Sequence, residues 1–242
     1  MMTKELNWLL DYPNLKIYQY KEGFKFSLDS VLLAEYAIIK KSDKNIIDLC
    51  TGNAVIPIIL NYKYHKKIYG IEIQQKVVDL ARDSIVENQM ENDIELICDN
   101  VLNIKNYFPG NNFDVVLCNP PYFKVHHDDY VNNNKIKGIA RHEIEVNLKQ
   151  IIETASFLLN SRGRFYMVHV PERIDEIFVY AHAFHMAVKN VIFVTSKEGK
   201  EPVLCLTTLM KDGKFGCRIS PVVCIGNLSS YQNLFHKDGE LR

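Results

Sequence analysis

The sequence predicts an α/β protein built on a doubly wound, mostly parallel sheet with an antiparallel edge strand and a small N-terminal extension. Three observations carry this. From residue 45 onward, short apolar runs that end at polar turns alternate with amphipathic segments of helical period. Strands that alternate with helices form βαβ units, which stack into a parallel sheet. Late in the chain, strand-like runs follow one another across short turns, which points to an antiparallel edge.

The elements follow in order. Ile46–Leu49, Ile68–Glu72, Ile94–Cys98 and Phe113–Cys118 read as the first four buried strands. Ala54–Tyr62 reads as a helix that tolerates Pro57 in its first turn. Gln75–Met90 carries Val77, Val78, Ala81, Ile85 and Val86 on one stripe. Val146–Leu159 is expected to be helical, Arg164–Val170 a fifth strand, Pro171–Met186 a helix, and Asn190–Thr195 a sixth strand. Val203–Met210 and Gly216–Ile225 flank Lys211-Asp212-Gly213-Lys214, a hairpin signal. Residues 1–44 form the extension, with a strand pair (Ile17–Tyr20, Phe24–Phe26) and a helix from Leu28 capped by Ser27. Residues 45–242 form the main domain.

Composition narrows the function. The chain has 242 residues, 47% hydrophobic, with 29 basic and 29 acidic side chains. A net charge of zero excludes a generic polybasic coat for nucleic acid and leaves room for a local basic patch. The start lacks a secretory pattern and no stretch is apolar enough to span a membrane, so a cytoplasmic protein with no membrane partner is expected. The six cysteines contain no C-x-x-C pair and are expected to be reduced, buried thiols without a metal. His126-His127-Asp128-Asp129 is set aside as a metal site because adjacent residues rarely converge on one ion.

In a doubly wound sheet, ligands bind beyond the carboxyl ends of the strands, and candidate residues fall there. Asp48-Leu49-Cys50-Thr51-Gly52-Asn53-Ala54 joins the first strand to its helix. Gly52 lets backbone approach a ligand, and the helix start offers N–H groups. Glu72, 24 residues after Asp48, ends the second strand, where a carboxylate accepts both hydroxyls of a ribose. Asp99, after the third strand, is placed to accept an adenine amino group. A nucleoside spanning these ends is the ligand the spacing suggests.

Asn119-Pro120-Pro121-Tyr122, after the fourth strand, is the sharpest feature. The prolines stiffen the turn, so the Asn119 side chain and the Pro120 carbonyl form a pair of acceptors at fixed separation. Together they suit the two hydrogens of a planar –NH₂ group. Gripping both favours pyramidalisation and frees the nitrogen lone pair for attack. Tyr122 and Phe123 are expected to stack on a flat substrate. The amine is an adenine amine or an amide.

These motifs resemble the S-adenosylmethionine-dependent N-methyltransferases. More narrowly, Phe26–Ala34, Asp48–Asn53, Gly70–Gln74, Asn119–Phe123, Ala140–Glu143 and Val170–Arg173 are similar to the bacterial tRNA1(Val) adenine N6-methyltransferase family. The resemblance covers about residues 16–215. It implies a Rossmann-like class I methyltransferase that takes S-adenosylmethionine as cofactor. It further implies methylation of the adenosine beside the anticodon (adenine-37). Asn119, Pro120 and Tyr122 would be catalytic. Asp48, Cys50, Thr51, Gly52, Asn53, Glu72, Asp99 and Asn119 would bind the cofactor. Asp29 either helps close the cofactor pocket or serves as a charge at a helix start. Ala54 stands where the family usually has glycine, a mild change at a helix start, and the C-terminus lacks an acidic ending.

A tRNA partner fits two basic stretches. Lys135, Lys137 and Arg141 form one, and Phe123 joins them as a substrate contact. The other runs from Lys189 to Arg218. The protein is taken as a monomer. Two competing enzymes are a protein glutamine N-methyltransferase and another nucleic-acid adenine N6-methyltransferase. A catalytically inert RNA-binding module is the reading from another class.

Overall fold

The computed structural model describes residues 3–10, 12–21, 28–122 and 146–226. Two strands, β1 (Lys4–Leu9) and β2 (Tyr12–Tyr20), form an antiparallel pair at the start. The central sheet has nine strands. Four of them, β3 (Ile46–Leu49), β4 (Ile68–Glu72), β5 (Ile94–Cys98) and β6 (Phe113–Cys118), lie where the apolar runs predict. They continue with β7 (Leu159–His169), β8 (Met186–Thr195), β9 (Pro202–Lys211), β10 (Arg218–Ile219) and β11 (Val223–Cys224). The helices are α1 (Leu28–Tyr36), α2 (Val55–Tyr64), α3 (Gln75–Glu87), α4 (Leu148–Leu158) and α5 (Ile174–Ala183).

Strands β5, β4, β3, β6 and β7 are parallel neighbours in that order. Their side chains alternate between two cores, as the period-2 pleat requires. Ile46, Val115, Leu117, Tyr166 and Val168 face one apolar cluster, which α1, α2 and α3 cover. Ile47, Leu49, Val116, Phe165 and Met167 face the other, beneath α4 and α5. This three-layer arrangement is the predicted α/β fold, with β9 as the antiparallel strand toward one side.

Several local expectations change. β9 pairs with both β7 and β8, so no hairpin forms around Lys211–Lys214. With both edges of β9 satisfied, only the outer edge of β8 remains, and β10 and β11 add there in parallel. The hairpin is β8–β9, closed through Ser196–Glu201. The helix expected from Pro171 to Met186 is a 3₁₀ turn (Pro171–Arg173) followed by α5. The left-handed backbone of His185 (φ 57°) breaks it, and β8 starts at Met186. In the extension, β2 takes in Ile17–Tyr20, but its partner is β1; Phe24–Phe26 and the cap Ser27 lie outside the described residues.

The extension shares the main core. Leu9, Leu15, Ile17 and the α1 residues Val31, Leu32 and Leu33 join the cluster under α2 and α3. The Tyr18 backbone N–H donates to Ser84 Oγ at 2.9 Å, which ties β2 to α3. Arg164 of β7 reaches across to α1's end, where it pairs with buried Asp43 and donates to the Ile38 carbonyl at 3.0 Å. The six cysteines are free; Cys118, Cys205 and Cys224 are buried, but Cys50 and Cys98 are half-buried and Cys217 is exposed. Among the described residues no helix is long and apolar enough to cross a membrane.

Candidate active site

A cleft of about 810 Å³, open to solvent at its mouth, lies at the carboxyl ends of β3, β4, β5 and β6. The turn after β3 forms one wall. Its backbone is left-handed at alternate residues: Cys50 (φ 56°), Gly52 (φ 56°) and Ala54 (φ 65°). Such alternation turns successive N–H groups toward one side and makes a concavity suited to negative charge. Ala54 is therefore no mild replacement for glycine, because its Cβ sits in a strained conformation. The turn is stapled to β4 by Thr51 N–H to the Ile71 carbonyl at 3.0 Å. Gly70 makes that approach possible: a Cβ there would meet Leu96 Cδ2 at 2.8 Å and Thr51 Cγ2 at 3.0 Å.

Glu72 ends β4 and lines the cleft. Its Oε2 accepts the Gly52 N–H at 3.1 Å and its Oε1 the Gln74 N–H at 3.0 Å. Burial raises its carboxyl above the usual range, and these N–H groups oppose the rise. The Ile73 N–H and the Gln74 side chain also lower it, so the carboxylate sits among several donors where it lines the cleft.

Asp48, the other acid of the first motif, behaves differently. The pleat puts it on the same face as Ile46, under the helical layer, and it does not line the cleft. It is fully buried; among the described residues it accepts only the Thr51 hydroxyl, at 2.6 Å, and Oδ1 has no partner. Burial pushes its carboxyl up to about 8. It holds the turn through Thr51. Asp99 does line the cleft, but its oxygens already accept from Asn100 N–H, Asn103 Nδ2 and Tyr107 Oη. These bonds, that of Asn103 first, lower its carboxyl.

Cys50, Thr51, Gly52, Asn53 and Asn119 line the same cleft. Pro120 is buried and Pro121 takes its place on the wall. Asn119 Nδ2 donates to Ser30 Oγ at 2.9 Å. Tyr122 turns its hydroxyl toward Asn119 Oδ1 (2.8 Å) and Asp29 Oδ2. Its ring packs edge-on to His169, with centroids 5.5 Å apart. His169, at the end of β7, is fully buried; its Nδ1 accepts the Val170 N–H at 2.9 Å, and among the described residues its Nε2 has no partner. Burial first, then Arg173, lowers it to about 4.

Phe123, Lys135, Lys137, Arg141 and the His126–Asp129 stretch lie outside the described residues. The second basic stretch splits. β8 runs parallel to β7, so Lys189, Lys211 and Lys214 lie toward the end of the sheet away from the cleft. Lys211 Nζ is taken up by Asn111 Oδ1 and the carbonyls of Ser156 and Leu159, and Lys189 Nζ by the Lys214 carbonyl. Lys197 and Lys200, in the β8–β9 turn, are at the cleft end.

Sequence reasoning missed Ser30, Gln74, Val77, Asn100, Val101 and Val146 as cleft residues. Position alone signals some: Gln74 and Asn100 directly follow strand ends. Ser30 and Val146 come from distant segments and carry no such sign.

A doubly wound sheet with a glycine turn, a buried carboxylate and an N-P-P-Y turn at successive strand ends defines a class I methyltransferase. Residues 40–205 match the family described as Methyltransferase domain, and the chain belongs to that family. It is 24% identical over 196 residues to the tRNA1(Val) (adenine(37)-N6)-methyltransferase of Phocaeicola vulgatus, covering 81% of each chain. The Aliivibrio salmonicida protein of the same name is 25% identical over 179 residues, covering 73% of this chain and 74% of that one. Among solved structures, a predicted O-methyltransferase of Agrobacterium tumefaciens superposes with a TM-score of 0.65 at 18% identity, covering 88% of this chain and 90% of that one. A putative RNA methyltransferase of Pyrococcus horikoshii gives 0.54 at 17%, with 76% and 82% covered. The methyltransferase family implies S-adenosylmethionine as the methyl donor.

Proposed function

We propose that this enzyme methylates the exocyclic N6 amino group of an adenosine in tRNA, at adenine-37 beside the anticodon of tRNA1(Val). One observation carries the chemistry: Asn119 lines the same cleft as Glu72 and the Thr51-Gly52-Asn53 turn. An acceptor for a planar amine thus adjoins a nucleoside-type site. The relatives named above support the choice of substrate.

The cleft fits S-adenosylmethionine. Glu72 presents a carboxylate to the cleft for ribose hydroxyls, and Ile71, Ile73, Val77 and Val101 give apolar walls for a flat base. The left-handed turn suits a carboxylate. Asp99 is engaged by its own turn, so Asn100 beside it shares the polar rim. When bound, this cofactor supplies a methyl group activated by a sulfonium charge.

The chain's own residues hold the amine. Asn119 Oδ1 and the Pro120 carbonyl accept its hydrogens and orient its lone pair. No strong base is needed beforehand, because the nitrogen becomes acidic only as it gains positive charge. Positioning and preorganised dipoles supply most of the rate. An adenosine in an anticodon loop is single-stranded, so turning it into the site costs only about a few kcal/mol.

The test is methyl transfer from labelled S-adenosylmethionine to bulk tRNA, with nucleoside mass spectrometry and mapping of the labelled fragment. N6-methyladenosine in an anticodon-loop fragment is the expected product. Label on a protein amide, with none in tRNA, would replace this reading with the glutamine methyltransferase.

A further inference from the structure

Among the described residues, the Tyr122 hydroxyl meets two oxygens. It contacts Asp29 Oδ2, and it lies 2.8 Å from Asn119 Oδ1. A phenol carries one proton, and a carboxylate and an amide carbonyl both accept. One hydroxyl proton cannot serve both contacts. The carboxylate is the stronger acceptor, so the proton goes to Asp29. The other end of the Asn119 carboxamide is anchored, because Nδ2 donates to Ser30 Oγ at 2.9 Å. Asp29 and Ser30 are consecutive residues at the start of α1, so the N-terminal extension reaches both catalytic side chains.

We propose that Asp29 is a positioning residue that keeps the Asn119 carbonyl oxygen open to a substrate amine by drawing the Tyr122 proton to itself. The inference rests on the reading of Asn119 as the amine's acceptor. Without Asp29, the hydroxyl delivers its proton to Asn119 Oδ1. The enzyme's own tyrosine then takes one of the two lone pairs of that oxygen, and the amine meets an acceptor already weakened and crowded on one side. Ser30 complements this by fixing which way the carboxamide faces.

The logic predicts a specific non-additivity. If Asp29 acts only by restraining the hydroxyl, it has no work to do once the hydroxyl is gone. Four proteins test this: wild type, Asp29→Ala, Tyr122→Phe and the double variant. Each is measured for kcat/KM on tRNA, for affinity toward S-adenosylhomocysteine, and for the carbon-13 shift of the Asn119 side-chain carbonyl. Asp29→Ala is expected to lower kcat/KM by about tenfold or more, the worth of roughly one hydrogen bond to a charged group. The double variant is expected to be no slower than Tyr122→Phe alone. The carbonyl signal should move in Asp29→Ala and return in the double variant, with S-adenosylhomocysteine affinity held within about twofold.

Losses that multiply in the double variant would overturn the proposal, as would a carbonyl signal that Asp29→Ala leaves unmoved. A fall in S-adenosylhomocysteine affinity would instead assign Asp29 to closing the cofactor pocket. Should Asp29→Ala fail to fold, Asp29→Asn keeps an acceptor without the charge and is expected to shift the carbonyl signal in the same direction by less. The carbon-13 readout needs no turnover. Wild-type protein that leaves tRNA unmethylated would therefore count against the proposed reaction, and the hydrogen-bond arrangement would still be decided by the spectrum.

Discussion

Glu72 accepts the backbone N–H of Gly52 at 3.1 Å, which joins the end of β4 to the turn after β3 across one side chain. It adds to the Thr51 N–H bond to the Ile71 carbonyl at 3.0 Å, which joins the same two segments. Replacing Glu72 with Gln keeps an acceptor oxygen but removes the charge and one acceptor edge. Affinity for S-adenosylhomocysteine is expected to fall about 10- to 100-fold, the range of a charge-assisted hydrogen bond. Calorimetric titration measures it, and a melting temperature within a few degrees of wild type would show that the fold stands.

Ala54 holds a left-handed conformation (φ 65°, ψ 28°) at the start of α2. That costs an L-residue about 1–2 kcal/mol, whereas glycine gives back about 0.5–1 kcal/mol in unfolded-chain entropy. Ala54→Gly is therefore expected to stabilise the protein, by up to about 1 kcal/mol. Urea denaturation measures the change, and a lower midpoint in the variant would contradict the strain.

The strand ends were legible because each is an apolar run of four to six residues closed by a polar one, as in Ile46–Leu49 and Phe113–Cys118. Hydrophobic pattern does not state which strands are neighbours, so the insertion of β9 between β7 and β8 was not legible. Asp48 and Glu72 look alike in sequence, as acids near the ends of consecutive strands. Depth along the strands separates them in role: Asp48 is level with Gly70 and lies under the helices, whereas Glu72, on the same face, is two residues nearer the carboxyl ends and lines the cleft. The bond between Asn119 and Ser30 spans 89 positions, and no local signal marks it.

His169 and Asp48 give opposite pH dependences. His169 titrates near 4 in the fold and near 6.5 unfolded, so the unfolded chain binds a proton that the fold refuses between those values. Its contribution is present above about pH 6.5 and is lost as pH falls toward 4. Between pH 7 and pH 5 the loss is about 2 kcal/mol. Asp48, raised to about 8, contributes stability at low pH that declines as pH rises from about 4 to 8. Comparing His169→Gln with wild type at each pH cancels the Asp48 effect. The variant is expected to lose less stability than wild type on going from pH 7 to pH 5. Equal losses would show that His169 is not held neutral.

The central claim is that Asn119 grips an amine beside the cofactor cleft, and the Asn119→Ala variant tests it most directly. Wild type and variant are compared for transfer of labelled methyl to tRNA and for S-adenosylhomocysteine affinity. The account predicts N6-methyladenosine from wild type, turnover lower by about 10²- to 10³-fold in the variant, and nearly unchanged affinity. Equal turnover in the two proteins would contradict it.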